Sequence, residues 1–104
     1  MLEQEWLGAQ NKIGIDIWRN KYKNDGETFE DWVGRISGHH EDVAQLIKEQ
    51  KFLFGGRILA NRGLEYAGKK ITLSNCYVMT PPEDNIESIF DRAGKLARTY
   101  SYGG

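Results

Sequence analysis

The sequence predicts a mainly α-helical chain with one or two short strands. Apolar residues recur at three- and four-residue spacings in several stretches, and residues that cap helices stand before some of them. One stretch is instead rich in β-branched and aromatic residues. The chain has 104 residues, of which 39% are hydrophobic and 28% are charged, and this suits one small folded unit.

The first stretch, residues 3–22, favours helix because its apolar residues fall at helical spacings. Gly8 and Gly14 weaken that interpretation, since an interior glycine costs about 1 kcal/mol of helix stability. Two shorter helices with a break between these glycines are therefore as plausible as one long helix. The apolar residues are Trp6, Leu7, Ile13, Ile15, Ile17, Trp18 and Tyr22.

Two shorter helices are predicted next, after a turn at residues 23–27. Thr28 is a suitable N-cap, Asp31 stands at the capping-box position, and Gly38 supplies the stop. The second of these helices is expected over residues 41–50, where acidic residues in the first turn suit the positive end of the helix dipole. The expected inward-facing residues are Phe29, Trp32, Val33, Ile36, Val43, Ala44, Leu46 and Ile47.

The pattern changes beyond residue 51. After two glycines, residues 57–63 are expected to be irregular or extended, and an exposed turn is expected at residues 68–70. Residues 71–79 have the composition of a strand that ends before two prolines. A lone strand would leave its N–H and C=O groups unpaired, so the missing partner strand indicates an incomplete fold.

The last predicted element is a helix that Asp84 or Asn85 can cap and that reaches about Tyr100. Its apolar residues lie on one stripe, which ordinary core packing and an interface explain equally well. The stripe comprises Ile86, Ile89, Phe90, Ala93 and Leu96.

Composition disfavours several classes of function. The formal charge of −1, from 14 basic and 15 acidic residues, gives no basic excess for nucleic acid binding. The apolar stretches are far shorter than the roughly 20 residues that cross a bilayer, and the start lacks the features of a signal peptide, so a cytoplasmic protein is expected. A single cysteine excludes an internal disulfide and a multi-cysteine metal site, and two adjacent histidines alone do not favour a metal.

Four blocks of the sequence resemble successive blocks in the large, catalytic subunit of ribonucleotide reductase. They are residues 54–63 (FGGRILANRG), 74–78 (SNCYV), 84–90 (DNIESIF) and 97–104 (ARTYSYGG). The residues in these blocks are most similar to those of the adenosylcobalamin-dependent class of this enzyme. The resemblance implies an amino-terminal fragment, with residues 1–51 as a helical region and residues 52–104 as the truncated start of the reductase α/β barrel.

The resemblance also implies roles for individual residues. Cys76 takes the place of the cysteine on the first barrel strand, one of two thiols whose reducing equivalents replace the ribose 2′-hydroxyl. From spacing alone a lone cysteine is more typical of an inert buried residue, and Asp84 of a helix N-cap. The implied substrate-binding residues are Gly56, Ser74, Asn75 and Cys76, and the implied effector-binding residues are Asp84, Asn85 and Ile86.

The same resemblance implies partners and a cofactor. The remaining carboxy-terminal part of the reductase would supply the second thiol, and ribonucleotide substrates and nucleotide effectors would bind the assembly. The fragment alone would be inactive and bind no cofactor, adenosylcobalamin would act in the assembled enzyme, and helix 85–100 could form a dimer interface. Two other interpretations are a non-catalytic helical interaction module or remnant, and a nucleotide-binding regulator that uses the Asp84 region.

Overall fold

A computed structural model describes residues 1–65, 68 and 70–104, and these residues form a helical fold. The elements are α1 (Glu3–Leu7), α2 (Lys12–Ile17), a π-helical turn (Trp18–Tyr22) that continues α2, α3 (Phe29–Ile36), α4 (Glu41–Lys48), α5 (Gly56–Asn61) and α6 (Ile86–Ser101). None of these helices has both the length and the apolar character needed to cross a membrane.

The first predicted helical stretch is two helices with a break between the glycines. Gly8 ends α1 with φ of 92°, and Asn11 then caps α2 by accepting a hydrogen bond from the Gly14 N–H at 3.0 Å. A Cβ added at Gly14 would lie 2.5 Å from Asn11 Nδ2. A glycine is therefore needed at this position for the cap to close.

Helix α3 has the two ends that its sequence predicts. Thr28 and Asp31 form the reciprocal capping box, with hydrogen bonds of 3.2 and 3.1 Å. At the other end the His39 N–H donates to the Gly34 carbonyl at 2.9 Å, and the Gly38 N–H donates to the Arg35 carbonyl at 3.2 Å. This pair of bonds is a Schellman motif, and Gly38 has the positive φ of 65° that the motif requires.

An aromatic cluster forms the core of the described chain. Trp6, Trp18, Phe29 and Trp32 pack with ring centroids 5.2–6.0 Å apart. The Trp6 indole N–H donates to the Ile47 carbonyl at 2.9 Å, so a side chain of α1 is anchored to α4. Val33, Ile36 and Ile47 complete the buried cluster, and Phe54 and Leu59 pack against it.

Arg35 ties the loops around this core together. Its Nε and Nη2 donate to the two carboxylate oxygens of Glu27 at 2.8 and 3.0 Å, and Nη2 also donates to the Tyr22 carbonyl at 3.1 Å. Its Nη1 donates to the carbonyls of Ala60 and Arg62 at 3.1 and 2.8 Å. All five guanidinium N–H groups therefore have acceptors.

The expectation of irregular or extended backbone at residues 57–63 is wrong, because residues 56–61 form helix α5. The Gly55 carbonyl accepts hydrogen bonds from the N–H groups of Ile58 and Leu59, which closes the first turn. Leu59 packs against the core, and its carbonyl accepts the Trp32 indole N–H at 2.8 Å. These long-range contacts stabilise a helix too short to be stable by itself.

The predicted strand at residues 71–79 is also wrong, so the expectation of one or two short strands does not hold in the described residues. A strand needs a neighbour, and no second segment of the described chain pairs with this one through backbone hydrogen bonds. The Asn61 side chain holds the segment by donating to the Thr72 carbonyl at 3.0 Å. The turn expected at residues 68–70 includes Lys69, which lies outside the described residues.

Helix α6 matches its prediction in position but contributes no residue to the core. Asn85 is the residue that caps it, since its side-chain oxygen accepts from the Ser88 N–H at 2.7 Å. Ile86 and Phe90 on the apolar stripe are 69% and 72% exposed. The radius of gyration is 17.8 Å, against about 13 Å for a compact chain of this length.

Candidate functional site

A polar cavity of about 340 Å³ lies where α5 meets the π-helical turn and the segment 71–79. Gly56 and Asn75, two of the substrate-binding residues implied by the resemblance, both line it. They come from separate sequence blocks that the fold brings to one place. The full lining is Lys21, Gly56, Arg57, Ala60, Asn61 and Asn75.

Helix α5 positions one wall of this cavity. It begins at Gly56, and a Cβ added there would lie 3.7 Å from Tyr22 Oη, an ordinary contact that leaves room for a small side chain. Asn61 at the end of α5 binds the Thr72 carbonyl and so holds the segment 71–79 nearby. The side-chain nitrogen of Asn75 lies 3.7 Å from the position of a Cβ at Gly55. The segment therefore closes the cavity against the start of α5.

The charge of the cavity is positive. Lys21 and Arg57 are the ionisable groups in its lining, and neither forms an ion pair with a described residue. Lys21 Nζ lies 5.6 Å from the centre of the Tyr22 ring, a weak cation–π contact. Arg57 lies against the turn that follows α6, with Nη1 3.0 Å from the position of a Cβ at Gly103. A cation is favoured there because the carboxyl end of a helix is negative.

Ser74 and Cys76 do not line this cavity. Cys76 is exposed and unpaired, next to Asn75 in the chain. Ser74 is also exposed, and its N–H donates to Thr72 Oγ1 at 3.2 Å. Among the four implied substrate-binding residues, the structure therefore brings Gly56 and Asn75 together and leaves the other two on the surface of the same segment.

The implied effector-binding residues lie at the opposite end of α6 from the turn that contacts Arg57. Asp84, Asn85 and Ile86 are all exposed. The amide oxygen of Asn85 is occupied by the helix cap, whereas the Asp84 carboxylate is not the cap. The helix has 16 residues and is therefore about 24 Å long, so these residues are well separated from the polar cavity.

The glycine-rich end of the sequence forms the carboxyl cap of α6. The Gly104 N–H donates to the Thr99 carbonyl at 3.0 Å, and the Gly103 N–H donates to the Tyr100 carbonyl at 2.9 Å. Gly103 has φ of 98°. The end of the block 97–104 is thus a Schellman motif in this structure, beside Arg57.

Sequence reasoning missed the other three polar residues of the cavity, Lys21, Arg57 and Asn61. Arg57 and Asn61 are four residues apart inside a block already quoted for the resemblance, a spacing that a helix would place on one face. Because irregular or extended backbone is expected at residues 57–63, nothing in the sequence indicates that Arg57 and Asn61 share one helix face. Lys21 carried no signal, because nothing local indicates that the π-helical turn packs against α5.

Within the described residues, no three histidine, cysteine, aspartate or glutamate side chains come together as a metal site. No family model, curated protein or solved structure matches the chain. The functional assignment therefore depends on the sequence blocks and on the geometry of the polar cavity.

Proposed function

We propose that this chain is the amino-terminal part of a ribonucleotide reductase large subunit, which reduces ribonucleotides to deoxyribonucleotides for DNA synthesis in the cytoplasm. The observation that supports this most is the shared cavity of Gly56 and Asn75. The resemblance assigns both residues to substrate contact from separate blocks of sequence. Their meeting in one polar, positively charged cavity suits a nucleotide substrate.

In this proposal Cys76 is one of two reducing thiols. The 2′-hydroxyl of the ribose leaves as water and is replaced by hydrogen, while two thiols lose two protons and two electrons and become a disulfide. The second thiol must come from another part of the enzyme, since the chain has one cysteine. Cys76 is exposed, so a partner thiol can approach within the Cα separation of about 4.4–6.8 Å that a disulfide needs.

The remainder of the barrel would complete the elements that this chain leaves open. The segment 71–79 forms no backbone hydrogen bonds with another described segment, so a partner that covers it could satisfy its N–H and C=O groups. The exposed apolar stripe of α6 would pack in the assembled enzyme or form a dimer interface. Asp84, Asn85 and Ile86 would bind a nucleotide effector. Adenosylcobalamin, bound by the remainder of the enzyme, would supply the radical that starts the reaction.

The test is co-expression of this chain with the gene product encoded directly downstream, followed by pull-down. Ribonucleotide reduction is then assayed with and without adenosylcobalamin. We expect co-purification and cofactor-dependent activity. Cys76→Ser should abolish multiple turnover while nucleotide binding persists, and Thr80→Ser, an exposed change directly after the segment 71–79, should leave turnover intact. Normal turnover by Cys76→Ser would overturn the assignment of the thiol.

A second candidate function is a helical interaction module without catalysis. The observation that favours it is the exposed apolar stripe of α6, which lacks any buried residue. This alternative predicts a complex that forms equally well with Cys76→Ser and that shows no reductase activity with any radical generator.

A further inference from the structure

The polar cavity contains two cations that have no carboxylate partner among the described residues. Lys21 and Arg57 face it from different elements, and no carboxylate lines it. Arg19, Arg35, Lys48, Lys51 and Lys95 have carboxylate partners within 3.3 Å, whereas Lys21 and Arg57 are among the described basic residues that have none. An anion that enters a cavity lined by two positive charges is attracted to both of them. Their placement therefore indicates an anionic ligand.

The backbone at Lys21 departs from a regular helix. Residues 18–22 form a π-helical turn, closed by the Lys23 N–H donating to the Trp18 carbonyl at 3.0 Å. Trp18 is buried in the core, while Lys21 is exposed at the edge of the cavity. Turns of this kind occur frequently at functional sites. Here the wider turn lets one element contribute both a core tryptophan and a cavity lysine.

The cavity also contains an uncommitted amide. The Asn75 side chain has no hydrogen-bond partner among the described residues, whereas the Asn61 amide nitrogen already binds the Thr72 carbonyl. An amide N–H₂ can donate two hydrogen bonds. Lys21, Arg57 and Asn75 thus offer donors around one cavity, and phosphate oxygens are acceptors that suit lysine and arginine especially well.

We propose that Lys21 and Arg57 form an oxyanion site that binds the phosphate group of a ligand, with Asn75 as an additional donor. Neither basic residue is among those that the sequence blocks assign to a site. That this phosphate belongs to the ribonucleotide substrate rests on the proposed function. Lys21 is then a positioning residue, since it would bind the charged end of the substrate and take no part in the chemistry at the ribose.

The first experiment titrates the full chain with pyrophosphate and follows backbone and side-chain amides by NMR. We expect shifts at Asn75 and at the amides of residues 21 and 57. Lys21→Met should weaken binding about tenfold or more, the effect of losing one charge-assisted hydrogen bond, and Lys21→Arg should retain it. The control is Lys12→Met, which removes the same charge outside the cavity. Absent shifts, or equal weakening by Lys12→Met, would overturn the site.

The second experiment separates this site from the proposed function. A ribonucleotide should compete with pyrophosphate for the chain, whereas the matching nucleoside, which has no phosphate, should not. In the assembled enzyme Lys21→Met should raise KM for the ribonucleotide about tenfold and leave kcat nearly unchanged. Pyrophosphate binding without reductase activity would retain the oxyanion site and refute the reductase. Reductase activity with an unchanged KM in Lys21→Met would refute the positioning role.

Discussion

At the scale of single residues, Arg35 matters because one side chain satisfies backbone carbonyls from two separate elements. It binds Glu27 through two oxygens and also reaches the π-helical turn and the end of α5. Both charged side chains are about nine-tenths buried. Because the cavity is built on these same two elements, Arg35 stabilises its walls without lining it.

We expect Arg35→Met to lower the free energy of unfolding by about 3 kcal/mol, because Glu27 would remain as a buried carboxylate without its partner. Arg35→Lys should also destabilise the chain, since an ammonium group has three donors and no planar fork. The measurement is urea unfolding followed by tryptophan fluorescence. Arg19→Lys is the matched control and should cost less than about 1 kcal/mol, because the Arg19 side chain of that ion pair is 45% exposed and water screens the interaction. Equal losses of unfolding free energy at Arg35 and Arg19 would contradict the proposal that Arg35 links the π-helical turn to the end of α5.

A second residue-scale prediction concerns Glu3, whose pKa is lowered by its hydrogen bond from Arg19. A lowered carboxylate pKa in the folded state adds stability above the unfolded pKa, and this stability is lost as the pH falls through the folded pKa. Glu3→Gln should therefore destabilise the chain at neutral pH, by less than about 1 kcal/mol since the pair is at the surface. In acid, below the lowered pKa, the variant and the parent chain should have nearly the same unfolding free energy. A difference that persists unchanged in acid would rule out this origin.

At the scale of elements, the accuracy of prediction follows from where the stabilising contacts lie. Helix α3 could be predicted because its signals are local: the capping box at Thr28 and the glycine that permits a left-handed turn. Helix α5 could not be predicted in this way. It is stabilised by a hydrogen bond from Trp32 and by packing on the core, and these contacts come from distant parts of the sequence. The segment 71–79 has the residues of a strand, but strand pairing requires a second segment that the described chain does not supply.

The candidate site shows the same division. Gly56 and Asn75 could be assigned because they lie in recognisable blocks of sequence. Lys21 could not, since its place at the cavity depends on the packing of the π-helical turn against α5. The resemblance therefore implied two of the residues that line the cavity, and sequence reasoning missed the two charged ones.

The two N-caps provide a prediction at this scale. Thr28→Ala should lower the free energy of unfolding by about 1 kcal/mol, because α3 contributes Phe29 and Trp32 to the core. Asn85→Ala removes an equivalent cap from α6, which has no buried residue, so it should fray that helix without changing the global unfolding free energy. Unfolding followed by tryptophan fluorescence measures the first effect, and hydrogen exchange in α6 measures the second. A comparable global loss from Asn85→Ala would show that α6 is coupled to the core.

At the scale of the whole molecule, the hydrophobic core and the site segments are distributed unequally. The buried hydrophobic residues of the described chain lie between Trp6 and Ile47. The segment 71–79 and α6 carry exposed apolar side chains, of which Val78 is fully exposed. The amino-terminal helices can therefore bury their own apolar surface, whereas the carboxy-terminal half has apolar surface suited to a further partner.

This distribution predicts two levels of protection in hydrogen exchange. In the isolated chain, amides of α3 should exchange only through global unfolding, whereas amides of α6 and residues 71–79 should exchange much faster, because few buried contacts hold them. If the remainder of a reductase binds, amides of residues 71–79 should become protected, since a partner that covers this segment can accept their hydrogen bonds. The measurement is exchange detected by mass spectrometry with and without the co-expressed partner. Equal protection of α3 and α6 in the isolated chain would contradict the two-level organisation. A bound partner that leaves residues 71–79 unprotected would mean that it docks on the apolar stripe of α6 without covering this segment, as the interaction-module alternative requires.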